Sequence, residues 1–162
     1  MPDGVEFELT GLDELQAKLK SVSHDVQYKG GRFALRKAAQ IVREAAKANA
    51  LTLDDPETAA NIAENIKERW SGKRYRSTGD LMFRVGVMGG AGGNKPASAF
   101  DGLPGKDTRH WRYIEFGTET QPARPVMRPA LEKNINKATD EFVSQYGKAI
   151  DRAIRRANKA RK

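Results

Sequence analysis

The sequence predicts an α+β domain: a small, largely antiparallel sheet packed against two long helices, with a long Gly-rich loop. Three observations carry that expectation. Residues 32–50 and 126–157 keep a helical apolar period over many turns. Residues 66–71 and 81–87 gather β-branched and aromatic side chains in short runs, the pattern of strands. Residues 89–108 hold six glycines and two prolines with no period, and loops of that length are usually functional or disordered.

Taken in order, Val5 to Leu9 alternates as Val-Glu-Phe-Glu-Leu, so a strand is expected with Val5, Phe7 and Leu9 on one face. A helix then starts at Thr10 or Gly11 and fades near Ser23. Asp13 and Glu14 sit in its first turn, where the helix dipole favours acids, and Leu12, Leu15, Leu19 and Val22 form its apolar stripe. The Gly30-Gly31 pair is expected to break the chain. The helix after it, Arg32 to Ala50, places Phe33, Ala38, Ile41, Val42 and Ala45 on one face, and its alanines raise helix propensity. Asp54-Asp55-Pro56 reads as a turn into a short helix reaching Glu64, with Pro56 at the first position and either aspartate as cap. Ile66 to Ser71, and more ambiguously Gly72 to Arg76, read as strand. Leu81 to Val87 is a firmer strand and the expected hairpin partner, with Ser77-Thr78-Gly79-Asp80 in the connection.

The rest of the chain is organised around residues 111–129, WRYIEFGTETQPARPVMRP. Trp111, Tyr113 and Glu115 alternate with Arg112, Ile114 and Phe116, which predicts a strand in the central sheet. Gly117 ends it. Pro122 and Pro125 hold an extended connection, because the residue before a proline avoids the helical region. Pro129 suits the first turn of a helix beginning at Val126. That helix is expected to reach Ala157, on the order of 48 Å at ~1.5 Å per residue. Met127, Leu131, Ile135, Ala138, Phe142, Ala149 and Ala153 keep its stripe, and Gly147 is the expected bend.

Composition bounds the function. The chain has 162 residues, enough for one domain with a real core, yet 31% are charged and 38% hydrophobic, so partner subunits are expected to complete that core. Cysteine is absent, which excludes disulfides and thiol catalysis. Only His24 and His110 are present, too few for a histidine-built metal site. No apolar run approaches the ~18 residues of a membrane span, and the acidic start MPDGVEFELT lacks the features of a signal peptide, so synthesis in the cytoplasm is expected. The net charge is +8, of which +6 lies in residues 146–162. The chain therefore divides into an α+β domain, 1–145, and a basic helical extension, 146–162.

Motifs for chemistry are weak. Gly102-Leu-Pro-Gly105-Lys106-Asp107-Thr108 has the wrong spacing for a phosphate loop, with Asp107 where a hydroxyl should ligate magnesium. Gly89-Gly90-Ala91-Gly92-Gly93 lacks the third spaced glycine of a dinucleotide fingerprint. His110 and Glu115, five apart on a strand, would face opposite sides, which argues against an acid–base pair; Glu115 is better read as an ion-pair partner of Arg112, Arg124 or Arg128. Arg152, Arg155, Arg156 and Lys159 lie at helical spacing and suit phosphates, although aromatics to stack on bases are absent around them. No catalytic, cofactor or metal residue is assigned.

The run Tyr113-Ile114-Glu115-Phe116-Gly117-Thr118, then Pro122-Ala123-Arg124-Pro125, then Arg128-Pro129-Ala130-Leu131 resembles the signature of the head–tail joining proteins of tailed bacteriophages, also called neck or tail-completion proteins. The wider order of elements is similar across about Val5 to Asn134; the basic extension and the length of the 89–108 loop do not map onto it. The resemblance implies a non-enzymatic virion part. Such proteins form a ring, usually of six copies, at the neck between portal and tail, which surrounds the channel for genomic DNA and joins other neck and tail proteins after assembly in the host cytoplasm. It does not separate stopper, terminator and tail-completion roles. Tyr113, Glu115, Phe116, Gly117, Thr118, Pro122, Pro125, Arg128 and Pro129 are then the assembly motif. Gly90, Gly93, Lys95 and Lys106 mark a loop reaching toward the channel or a neighbouring ring. Arg152, Arg155, Arg156 and Lys159 are the residues that could face DNA. The alternative is a basic DNA-binding protein acting without any ring.

Overall fold

The computed structural model describes residues 23–53, 55–89 and 95–160, and elements are numbered within these. The strand expected at Val5–Leu9 and most of the helix expected before Ser23 lie outside the described residues. The order is α1 (His24–Leu51), α2 (Pro56–Asn65), β1 (Ile66–Trp70), α3 (Gly72–Thr78), β2 (Phe83–Val87), a 3-10 turn (Ala97–Phe100), α4 (Trp111–Phe116), α5 (Met127–Glu132) and α6 (Ile135–Ala160). The class is α+β: a two-stranded antiparallel sheet and two long helices, α1 and α6, packed on each other.

The expected break at Gly30-Gly31 does not occur, because α1 runs straight through both glycines. They sit where α6 crosses. A Cβ on Gly30 would lie 3.1 Å from the Ala149 Cβ, and one on Gly31 would lie 3.2 Å from the Tyr146 hydroxyl and 2.6 Å from Leu81 Cδ1. Close helix approach offsets the ~1 kcal/mol that each glycine costs a helix. The buried face of α1 is Ala34, Ala38, Val42, Ala46 and Ala50, one residue on every fourth position; Phe33 falls off that stripe and is 47% exposed.

Asp55 caps α2 as expected, its carboxylate accepting from the Glu57 and Thr58 amides at 3.1 and 3.2 Å. β1 and β2 pair in register from Ile66–Val87 to Trp70–Phe83. Gly72–Arg76, read ambiguously as strand, belongs to α3 instead. The Ser77 and Thr78 hydroxyls donate back to the Arg74 carbonyl, and Gly79 closes the helix with φ +80°. Tyr75 stacks on Tyr28 with ring centroids 4.5 Å apart, which ties α3 to α1.

The single helix expected from Val126 to Ala157 is two helices, and the break lies at Lys133–Asn134, not at Gly147. Asn134 makes the joint: its side-chain amide donates to the Ala130 carbonyl, and its own carbonyl accepts from the Ala138 amide. α6 packs antiparallel to α1, with Tyr146 and Ile150 against Ala34 and Ala138 against Ala38 and Val42. The Tyr146 hydroxyl donates to the Gln27 carbonyl at 2.9 Å. A second core joins the far end of α1 (Ala46, Ala50) to Ile62, Ile66, Val126 and Ala130.

Candidate assembly site

The segment expected as a strand, Trp111–Phe116, is the helix α4. Packing decides this against the β propensity of its aromatics. Trp111 and Ile114, three apart, reach the core of Ile62, Ile66 and Val126, and Glu115 is buried beside them. Tyr113 and Phe116 point outward, 66% and 62% exposed. Alternation would have put Trp111 and Ile114 on opposite sides; one helical turn puts them together. α4 therefore takes no part in a sheet.

Glu115 is the centre of the segment. Its Oε2 accepts from the amides of Val126 at 2.6 Å and Met127 at 2.9 Å, and its Oε1 accepts from the Arg128 amide at 3.1 Å. Arg128 closes the ring from outside. Its Nε donates to Oε1 at 3.2 Å and its Nη2 to the Glu115 main-chain carbonyl at 2.6 Å. Burial alone would raise the carboxyl pKa; the Met127, Val126 and Arg128 amides and the guanidinium outweigh it and hold the group below its ordinary value. Of the three arginines expected as partners, Arg128 makes the ion pair.

Between α4 and α5 the chain forms a fixed elbow. Gly117 has φ +77°, and a Cβ there would lie 2.8 Å from the Ala123 amide nitrogen, so glycine is required. The Thr118 hydroxyl accepts from the Thr120 and Gln121 amides, and the Thr118 amide donates to the Gln121 carbonyl at 2.9 Å. The Arg124 amide returns to the Ile114 carbonyl at 2.7 Å. Pro122 and Pro125 are exposed in extended chain, and Pro129 lies in the first turn of α5. Asn49 of α1 donates to the Val126 carbonyl at 3.0 Å, which fixes the elbow to the long helix. Tyr113, Glu115, Phe116, Gly117, Thr118, Pro122, Pro125, Arg128 and Pro129 are thus one local unit, with the Arg128 guanidinium 5.4 Å from the Phe116 ring centroid.

The glycine-rich loop is only partly as expected. Gly90 and Gly93 lie outside the described residues. Residues 95–108 carry structure of their own, contrary to a free excursion. Asn65, fully buried at the end of α2, accepts from the Gly105 amide at 2.9 Å and donates to the Lys106 carbonyl and the Thr108 hydroxyl at 2.9 and 2.8 Å. Lys106 has φ +54°, and the Lys95 carbonyl accepts from Arg109 at 2.8 Å. Phe100 is buried under the Arg109 guanidinium. Asn65 belongs to no motif in the sequence; an asparagine closing an apolar helix face is the signal it offers.

His110 does not meet Glu115, whose carboxylate is already filled by four donors. Among the described residues no group of three or more His, Cys, Asp or Glu could hold a metal ion, and no helix is long and apolar enough to cross a membrane. Arg152, Arg155, Arg156 and Lys159 are exposed on the last turns of α6.

The model of a family described as "Bacteriophage HK97-gp10, putative tail-component" matches residues 13–117, more than half of the chain. The match covers α1 to Gly117 and stops where the elbow begins. No curated protein and no solved structure matches.

Proposed function

We propose a structural virion role for this chain, which belongs to the HK97-gp10-like family of bacteriophage tail components. In this reading it is a non-enzymatic part of a tailed phage, forming a ring, usually of six copies, at the head–tail neck. There it completes or attaches the tail and surrounds the DNA channel, having assembled in the host cytoplasm with other neck and tail proteins. The observation that carries the reading is the elbow. A buried carboxylate, an obligatory glycine and two prolines in extended chain fix the geometry of α4 and α5 while Tyr113 and Phe116 stay exposed. Fixed shape with outward aromatics suits a contact surface, because pre-ordered side chains lose little entropy on docking. A closed ring needs a heterologous contact, one patch meeting a different patch. The connector role falls to residues 1–145 and the DNA-facing role to 146–162, which share α6.

Mass measurement of the purified full chain, alone and mixed with tails or with capsids, tests the reading. A closed oligomer that joins one of these supports it. A monomer that never enters a particle overturns it and leaves the ring-independent DNA-binding alternative.

A further inference from the structure

Two adjoining clefts open along the first half of α1, and they share Lys29 and Phe33. One, about 470 Å³, is walled by Arg32, Arg36 and Trp70; the other, about 490 Å³, by Arg152 and Arg156 of α6. The basic end of α6 is therefore not an isolated tail but one bank of a cationic surface whose other bank is α1.

The charges are held differently on the two banks. Glu68 is the one carboxylate among the described residues lining either cleft; its side chain is 5% exposed and engaged by Arg43 at 2.5 Å and Arg36 at 3.3 Å. The Arg32 guanidinium lies 4.7 Å from the centroid of the Trp70 ring and donates to the Tyr28 hydroxyl at 3.3 Å, so it is positioned by neutral aromatic groups. The Arg152 Nε donates to the Lys148 carbonyl, a neutral partner. Phe33 stands exposed between the banks, off the buried stripe of its own helix. It supplies the apolar face among cations that the tail alone lacks.

Spacing favours a regular polyanion. Lys29 to Arg36 spans on the order of 10 Å along α1, as does Arg152 to Lys159 along α6, at ~1.5 Å per residue. Because α6 runs antiparallel to α1 with Ala149 beside Gly30, the two rows lie end to end. Together they make a basic strip on the order of 20 Å long, suited to following the phosphates of one strand. A compact acidic peptide would not need two rows, and a lipid surface would want several apolar side chains beyond the cations.

We propose that the two adjoining clefts beside Phe33 bind the sugar–phosphate backbone of duplex DNA, with Arg32 of one and Arg152 and Arg156 of the other on phosphates and Phe33 against sugar; this deepens the channel role proposed above and rests on it for its biological setting. The test is fluorescence anisotropy of the full chain with a labelled 30-base-pair duplex of arbitrary sequence, across a salt series. The triple variant Arg32→Gln, Arg152→Gln, Arg156→Gln is compared with Lys47→Gln, Lys133→Gln, Lys137→Gln, which removes the same charge elsewhere. Circular dichroism confirms that both fold. The cleft variant is expected to bind at least about tenfold more weakly with a salt slope shallower by about 2–3, while the control stays within about threefold. Equal losses in both variants overturn the proposal, as does tighter binding to phosphatidylglycerol vesicles than to duplex. Oligomer mass, read on the same samples, separates the two claims. A ring that ignores DNA sinks the cleft and leaves the connector role, and a monomer that binds through the cleft does the reverse.

Discussion

Arg128 grips Glu115 at two points, the carboxylate through Nε and the main-chain carbonyl through Nη2, and so ties the end of α4 to the start of α5 across thirteen residues. The Arg128 side chain is 59% exposed while that of Glu115 is 3% exposed, so the pair has a wet partner and a dry one.

Removal of the dry partner is the costly change. Glu115→Ala leaves three amides and a guanidinium without their acceptor and is expected to destabilise by about 3–5 kcal/mol, against about 1 for Arg128→Ala. The pH dependence has a definite sign. The folded carboxyl titrates below its ordinary 4.5, so its stabilisation is complete above that value and is lost as pH falls through the folded pKa. Urea melts between pH 3 and 6 should show a slope that Glu115→Gln reduces. An unchanged slope would remove Glu115 from the acid response.

Tyr146 gives the opposite dependence. Burial pushes its hydroxyl pKa up from 10.0, so its contribution is present below that value and fades as pH rises through the folded pKa. Tyr146→Phe should cost about 1 kcal/mol at neutral pH, the net worth of the bond to Gln27. It should also flatten the loss of stability above pH 10, as followed by thermal melts.

Two glycines should respond in opposite directions to alanine. A Cβ on Gly105 would meet the Asn61 carbonyl oxygen at 2.0 Å, a backbone clash, so Gly105→Ala is expected to cost several kcal/mol, about 2–4. Gly147 sits inside α6 with open space around it, so Gly147→Ala should stabilise by about 0.5–1 kcal/mol. Chemical melts of the two variants check both signs.

Asn65→Ala removes the acceptor for Gly105 and the donor to Lys106 and Thr108. We expect a loss of about 2–4 kcal/mol, since buried polar groups lose their partners together. Hydrogen exchange at residues 105–108 should accelerate before that of α1. Uniform acceleration would show that Asn65 supports the whole fold and not the loop.

The α+β class, the β1–β2 hairpin and the Asp55 cap were legible because each rests on local chemistry: alternation, turn formers and a side-chain acceptor at a helix start. What was not legible depends on neighbours distant in sequence. Gly30-Gly31 reads as a break until Ala149 and Tyr146 are brought against it. Trp111–Phe116 reads as a strand because its aromatics favour one, and the core under Trp111 and Ile114 selects the helix. The Glu115–Arg128 pairing was among the expected ones, yet the capping of α5 by the same carboxylate needed the elbow to be seen. Lys29 and Phe33 carry no basic-run signature and join Arg152 and Arg156 only because α1 and α6 run antiparallel. Of the elbow, Glu115 and Gly117 lie within the stretch matched by the family and residues 118–128 lie beyond it, so the part of those later residues in assembly rests on their own geometry.

The antiparallel arrangement makes the molecule bipolar. The elbow is anchored near Asn49 and the cationic cleft near Lys29, positions roughly 30 Å apart along one unbroken helix at ~1.5 Å per residue. In the reading proposed above, one copy would hold a neighbour at one pole and DNA at the other. A fluorophore placed on the Thr118–Gln121 turn would then report on contacts made at the elbow pole.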